Sequence, residues 1–290
     1  MCTSMNPSSH DHAKPVSEEI LLWRDSDLGD GMEMLRAVCC SHRYSAHSHD
    51  EFVIAAFERG AQRHCIARHN GVAVPGTVMI IHPGEVHTGE AAEEAGLWAY
   101  RAFYPSAQIM GQVAEDVFGA PVSELDFGRE ALRENLTLAR QLTRAHSIIE
   151  TSPDPLERQA AFIDMLALLI KRYGQSINGT VLREQPPADV RRAQDLIQSC
   201  FGERLTISQV AEAVGLSEYH FMRSFRKKTG MTVHAYITQT RLRAAKDLLA
   251  QGVTPAQTAI NVGFFDQSHF TNRFRGNFGV TPKRYAEACR

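Results

Sequence analysis

The sequence predicts an α+β protein in two parts: a small β-barrel with helices packed on it, then an all-α domain of two similar helical units joined by a long helix. Three observations predict this. Short apolar runs bounded by Gly, Pro and Asn-Gly turns fill residues 20 to about 105. Apolar residues at three- and four-residue steps replace them from 106 onward. A stretch near the C-terminus repeats itself at an offset of 48 residues.

A chain of 290 residues with 43% hydrophobic residues has room for two cores of ordinary domain size. It holds no run of roughly 20 apolar residues, so a membrane span is not expected. Residues 1–19 open on a polar Ser-, His- and Asp-rich stretch with no apolar signal core, which predicts a flexible tail. The six cysteines include no CxxC pair, and Cys39 and Cys40 are adjacent. That pattern fits neither a zinc knuckle nor a disulfide framework, and a reduced, cytoplasmic setting is the expectation.

In the predicted barrel (20–105), Glu51 to Phe57 and Gly76 to Ile81 are strand candidates between the turns Asn70-Gly71, Pro75-Gly76 and Pro83-Gly84. Over 106–173 the pattern is helical. Leu132, Leu136, Ala139 and Leu142 form one stripe, and Phe162, Met165, Leu166, Leu169 and Ile170 another behind Pro155. These helices are expected on the barrel or against a second copy of the chain. Residues 174–187 have linker composition, and 188–290 read as helix throughout.

The net charge of −2 hides an asymmetry. Residues 188–290 carry 15 basic and 8 acidic groups, a net +7, against 16 basic and 25 acidic groups before them, a net −9. A basic module attached to an acidic remainder suits a nucleic-acid partner.

Within that module Ser208 to Gly215 echoes Ala256 to Gly263. Phe221, Phe225, Arg226, Gly230 and Thr232 then match Phe270, Phe274, Arg275, Gly279 and Thr281. Each copy has the physics of a helix-turn-helix. A small alanine (Ala211, Ala259) permits close approach, a glycine (Gly215, Gly263) makes the tight turn, and Ser217 or Asp266 caps the second helix. Paired phenylalanines four apart mark the buried face. On the opposite face lie Tyr219, Met222, Arg223 and Arg226 in the first copy, and Ser268, Thr271, Asn272 and Arg275 in the second. Such stripes enter the major groove, where Arg223 suits guanine O6/N7 and Asn272 suits adenine N6/N7. The helix between the copies, about 18 residues or ~27 Å long, compares with the ~34 Å repeat of B-DNA. Arg226, Lys227, Lys228, Arg241, Arg275, Lys283 and Arg284 are candidate phosphate contacts.

Residues 188–290 resemble the DNA-binding domain of the AraC/XylS family. The run Ala259-x-x-Val262-Gly263-Phe264-x-Asp266-Gln267-Ser268-His269-Phe270-x-x-x-Phe274-Arg275-x-x-Phe278-Gly279-x-Thr281-Pro282-x-x-Tyr285 carries the likeness. The resemblance implies base contacts from both stripes, extended to Glu218 and Gln267 at the helix starts. Met222 departs toward an apolar contact, and Ala286 stands where a basic residue is usual.

In the front part, His47-x-His49, Pro75-Gly76 and His82-Pro83-Gly84-Glu85-x-His87 resemble the cupin-type sensor barrel common in that family. His47, His49 and His87 match three ligands of metal-binding cupins, but Val53-Ile54 occupies the place of the glutamate. Three readings stay open: a Zn²⁺ or Fe²⁺ site, a pocket for an organic effector, or hydrogen-bonding histidines at the barrel mouth. The effector pocket is carried forward, with His47, His49, Glu51, His87 and Arg101 lining it and Tyr100 as a further candidate; no cofactor is expected. A charged lining suits a zwitterionic or anionic metabolite. The function expected is therefore not catalysis but a sequence-specific transcription regulator controlled by a small molecule. Double-stranded DNA and the effector are its partners, and a homodimer and RNA polymerase are further ones. The alternative is a metal-dependent cupin enzyme with a helical appendage, which leaves the duplicated motif without a role.

Overall fold

A computed structural model describes residues 18–289, apart from 30, 68, 94–95, 178–186 and 204. The expected tail at 1–19 lies almost wholly outside the described residues, as does most of the 174–187 linker.

The front domain begins with nine strands: β1 (Glu19–Asp25), β2 (Met32–Cys39), β3 (Tyr44–His47), β4 (Val53–Gly60), β5 (Gln62–Ile66), β6 (His69–Ala73), β7 (Thr77–Ile81), β8 (His87–Ala91) and β9 (Trp98–Tyr104). After helix α1 (Ala107–Phe118) come two short strands, β10 (Leu125–Asp126) and β11 (Leu132–Glu134). Helices α2 (Leu136–Thr151) and α3 (Pro155–Tyr173) follow, then β12 (Gln175–Ser176), which pairs with β10. The strands form a large antiparallel sheet of order β1-β2-β9-β4-β7-β11 and a smaller one of order β3-β8-β5-β6. The cupin-like β domain expected from the sequence is present, and it is built from two facing sheets that are not closed edge to edge. The two sheets are separate, and among the described residues no strand belongs to both. The chain leaves the large sheet at Gly60, whose φ is +66° and where a Cβ would sit 1.5 Å from the Leu97 carbonyl oxygen. Only glycine permits that turn.

The near-continuous apolar runs follow from burial on both faces of the large sheet. Alternation divides β4: Val53, Ala55 and Phe57 face the space between the sheets, while Ile54 and Ala56 meet the helices. β2 and β7 divide the same way, Leu35, Ala37, Met79 and Ile81 against Met34, Val78 and Ile80. Helices α1–α3 cover the second face through Met110, Leu138, Leu142, Phe162 and Leu166.

Leu132, expected to begin a helical stripe, instead lies in β11 opposite Met79. The helix starts after Asn135, whose side chain accepts from the Leu138 amide. An N-cap resets the phase that Leu132 shares with Leu136.

The C-terminal domain holds α4 (Ala188–Cys200), α5 (Ile207–Ala213), α6 (Glu218–Thr229), α7 (Val233–Ala250), α8 (Pro255–Asn261), α9 (Gln267–Phe278) and α10 (Pro282–Ala288). The first unit, α5–α6, shares a core of its own with α4, including Val190, Ile197, Val210, Phe221 and Phe225. The second unit, α8–α9, does not. Its Phe264, Phe270, Phe274 and Phe278 belong to the same hydrophobic cluster as Leu35, Val53 and Trp98 of the front domain. One half of the C-terminal domain thus shares the hydrophobic core of the sheet sandwich.

Candidate nucleic-acid interface and sensor cavity

Both predicted turns form. Gly215 and Gly263 adopt φ of +75° and +81°, in the left-handed region. Ser217 accepts from the His220 amide at 3.4 Å, and Asp266 from the His269 amide at 2.7 Å. Phe221, Phe225, Phe270 and Phe274 are buried. With those faces fixed inward, Glu218, Tyr219, Met222, Arg223 and Arg226 of α6 are exposed, as are Gln267, Ser268, Asn272 and Arg275 of α9; Thr271 is half-buried.

The surroundings of the two stripes differ. Tyr219, Met222, Arg223 and Arg226 line a cleft of about 1140 Å³ whose other wall is the front domain: Ala46, Cys65, Ala67 and the Gly84–Thr88 segment. Of the phosphate candidates, Arg241 needs correction. Its guanidinium donates to the carbonyls of Phe201 and Glu203, at 2.8 and 2.9 Å, so it ties α7 to the end of α4. Lys283 lies 3.9 Å from Glu287 and remains exposed.

Between the two sheets is a cavity of about 50 Å³. His47, His49 and His87 line it, with Tyr44, Tyr100 and Tyr104. His47 and His87 face each other across the β3–β8 pairing, and their ring centroids are 4.3 Å apart. His49 completes the group, 5.0 and 5.2 Å from the other two rings. Burial, reinforced by the neighbouring His87, pushes the His47 pKa down to about 3. Burial also takes His87 to about 4 and His49 well below its ordinary value. All three rings are therefore neutral at neutral pH.

Two expected lining residues lie elsewhere. Arg101 alternates with Tyr100 and Ala102 on β9, so it points to the opposite face, under α2. There it donates to Glu58 at 3.0 Å and Glu150 at 2.7 Å, and meets His146 at 3.1 Å. Glu51 sits outside the cavity, at a rim shared with Ser48, Arg243 and Lys246. The lining is mostly imidazoles, phenols and apolar groups, and its one carboxylate is Glu33 in place of Glu51.

Sequence reasoning missed the wall that closes the cavity. Asn277 and Phe278, from the end of α9, complete its lining. Beside them Lys246 Nζ lies 2.6 Å from Glu33, Arg24 lies 3.7 Å from it, and the Tyr285 hydroxyl donates to the same carboxylate. Burial works to lower the Lys246 pKa, but Glu33, Glu51 and the hydrogen bond to Glu33 together hold it above its ordinary value. The signal was present: Lys246 interrupts the stripe Leu242, Ala245, Leu249, and a lysine in phase with buried residues asks for a buried acid. A second clasp grips the segment between two of the histidines. Gln239 of α7 accepts from the Ser48 amide at 3.2 Å and donates to the Ser48 carbonyl at 2.7 Å. Arg243 donates to that carbonyl at 3.1 Å and pairs with Asp50 at 2.7 Å.

Residues 33–166 match a family model described as an AraC-like ligand binding domain, and residues 210–288 match one described as a helix-turn-helix domain. The chain is 28% identical over 227 residues to the HTH-type transcriptional regulator YbfI of Bacillus subtilis, covering 78% of this chain and 81% of that one. It is 25% identical over 248 residues to the HTH-type transcriptional activator RhaS of Citrobacter koseri, covering 83% and 86%. Among solved structures, an apo single-substitution variant of ToxT from Vibrio cholerae superposes with a TM-score of 0.52 at 12% identity, over 89% of this chain and 98% of that one. Wild-type ToxT bound to unsaturated fatty acid superposes at 0.50 and 11%, over 88% and 94%. At those identities the likeness is one of fold.

Proposed function

The chain belongs to the AraC/XylS family of DNA-binding transcription regulators, and from that premise we propose how its ligand-binding domain governs its DNA-binding domain. The protein is a transcription regulator with a sensor domain for a small molecule in front of two helix-turn-helix units. In the proposed mechanism the described conformation is a clasped state. The observation that carries it is the merged core: Phe278 of the second recognition helix is at once part of the DNA-binding unit and a wall of the sensor cavity.

Two consequences follow from that wall. Pockets for ordinary organic ligands measure about 300–1,000 Å³, so a metabolite does not fit the 50 Å³ cavity while Phe278 stays in place. An organic effector then binds the unclasped state better than the clasped one, which is the differential affinity that any ligand-driven shift requires. The α6 stripe also faces the front domain across a cleft. A duplex presents a groove about 12 Å wide between two bulky backbones, and the Gly84–Thr88 segment stands in its way. Release of α7 and α9 opens the α6 stripe and the cavity together. ToxT is described with a fatty acid bound; an elongated ligand of that kind has the apolar body this cavity would accept once opened.

In this reading Glu218, Tyr219, Met222, Arg223 and Arg226 of α6, with Gln267, Ser268, Thr271, Asn272 and Arg275 of α9, contact DNA. Exposed Leu156 and Ile163 on α3 offer a face to a second copy, and exposed Ile260 and Phe265 beside the second turn offer one to RNA polymerase. No described helix is long and apolar enough to cross a membrane, and a cytoplasmic regulator is the setting we assign. No reaction is assigned to the site: an enzyme would leave two matched recognition stripes without a role.

The clasp is tested from the sensor side, where the DNA-binding units are untouched. Ser48→Ala with Asp50→Ala removes acceptors for Gln239 and Arg243. Operator affinity of the full-length protein, measured by fluorescence anisotropy without effector, is expected to rise about fivefold or more, within the usual range of coupling energies. Affinity equal to wild type contradicts the clasped-state reading.

A further inference from the structure

His47, His49 and His87 each offer one ring nitrogen, and these three atoms lie within 4.8 Å of one another. Nitrogen ligands of a tetrahedral ion at ~2.0–2.1 Å are about 3.3–3.4 Å apart. Closing the set on one ion therefore takes a contraction of about 1.4 Å at most, shared between the rings and the backbone that carries them.

The outer partners orient the lone pairs. His47 Nδ1 lies 2.7 Å from the Ser45 carbonyl oxygen, and His87 Nδ1 lies 2.9 Å from the Glu85 carbonyl oxygen. A carbonyl only accepts, so in each ring the proton is on Nδ1 and Nε2 keeps its lone pair. Metal-ligating histidines have the same arrangement, with the far ring nitrogen donating to a fixed acceptor. Three neutral imidazoles packed together gain little from one another; a cation between them satisfies all three lone pairs. The nearby positive groups do not oppose it as free charges, since Lys246 is matched by Glu33 and Arg243 by Asp50. The cavity supplies the remaining coordination positions. At about 50 Å³ it has room for about three or four waters, or for a small oxygen donor, with Phe278 still in place.

We propose that His47, His49 and His87 form a binding site for a first-row divalent cation, of the Zn²⁺ or Fe²⁺ class, whose occupancy is transmitted to the DNA-binding domain through Ser48. Imidazole nitrogens suit that class, and three ligands leave a position open to the cavity. Ser48 stands between two of the ligands and is held by Gln239 and Arg243 on α7, the helix that joins the two helix-turn-helix units. Drawing His47 and His49 onto one ion turns the Ser48 peptide, whose carbonyl accepts from both α7 side chains. The ion thus loosens the clasp. The transmission step rests on the regulator reading above; the site itself does not.

Untagged full-length protein carrying His10→Ala and His12→Ala, to silence the tail histidines, is titrated with Co²⁺ as the probe. The visible absorption of the bound ion is the readout, with metal content after gel filtration as a second. About one equivalent with an ordered-site spectrum is expected, lost in His49→Gln and in His87→Gln while both variants keep the parent's circular dichroism. No stoichiometric Co²⁺ in the parent, or equal binding in the variants, overturns the site. The transmission step is then read with Zn²⁺ and selected operator DNA. Affinity is expected to rise about fivefold or more on adding Zn²⁺. In Gln239→Ala, which keeps every ligand, that rise is expected to disappear. Zn²⁺-independent affinity in the parent, or an undiminished rise in Gln239→Ala, overturns it. The cobalt measurement needs no DNA, so a failure of the regulator reading would appear separately, as an intact cobalt site in a protein that selects no sequence.

Discussion

Lys246 and Glu33 show what one residue decides in this molecule. Each is nearly solvent-inaccessible, and each is tolerable only because the other is present. Lys246→Met leaves a buried carboxylate with only Arg24 and Tyr285, and is expected to destabilise the chain by about 3–5 kcal/mol in urea unfolding. Adding Glu33→Leu is expected to restore most of the loss; a single variant within about 1 kcal/mol of wild type contradicts the account. His146 makes a second prediction. Its Nε2–H donates to the Leu35 carbonyl and its Nδ1 accepts from Arg101. Burial first, then the Arg101 charge, hold its pKa down at about 3, against 6.5 for a free ring. Between those values the unfolded chain binds a proton that the fold does not, so stability rises with pH across the window and levels off above it. Urea unfolding from pH 4.5 to 7.5 should show that slope, reduced in His146→Leu by up to about 1.4 kcal/mol per pH unit. Identical slopes would show that His146 titrates alike in both states. At this scale the sequence was legible where a residue's face is set by its own helix, as for Arg223 and Asn272. It was not legible for Arg101, because the pocket face of β9 depends on a register that only the paired sheet defines.

Elements were legible in proportion to their local signals. The C-terminal domain was readable as helix because caps and glycines mark most of its helix ends: Thr206, Ser217, Thr232, Thr254, Asp266 and Thr281 all accept from the amide three residues on. The strands carried no comparable mark of how sheets close. Thus Val53 to Phe57 announces a buried strand but not whether its sheet joins the next, and a barrel and an open sandwich read alike. The two turn glycines permit a contrast. At Gly215 an added Cβ meets nothing within 4 Å, so only the left-handed backbone opposes a side chain. At Gly263 the Cβ would also lie 2.7 Å from the Gly202 carbonyl oxygen. Gly215→Ala is expected to cost about 1–2 kcal/mol, and Gly263→Ala clearly more, in thermal unfolding of the full-length chain. Equal losses would mean that the 201–203 segment yields freely and does not brace the second turn.

Across the whole molecule the unequal burial of the two helix-turn-helix units is the main finding. The first unit has its own core and turns its recognition stripe toward a cleft; the second shares its core with the sensor. No reading of one segment at a time reveals this: Phe278 and Tyr285 have ordinary explanations inside their own helices, and Lys246 asks for a buried acid without naming Glu33. The domains themselves were legible from periodicity and charge, since each obeys local rules. Their docking was not, since Ser48 and Gln239 are 191 residues apart and nothing in either marks the other. In the function proposed above, the two exposed stripes read DNA as one unit. The most direct test of this is genomic DNA selection by the purified full-length protein at near-physiological salt, beside Arg223→Ala/Asn272→Ala and the unclasped Ser48→Ala/Asp50→Ala. One motif of two short blocks about one helical turn apart is expected, stronger with the unclasped variant and lost when Arg223 and Asn272 are removed, each such contact being worth about 1–3 kcal/mol. The same motif enriched equally by the Arg223→Ala/Asn272→Ala variant, or no motif from the unclasped protein, would contradict it.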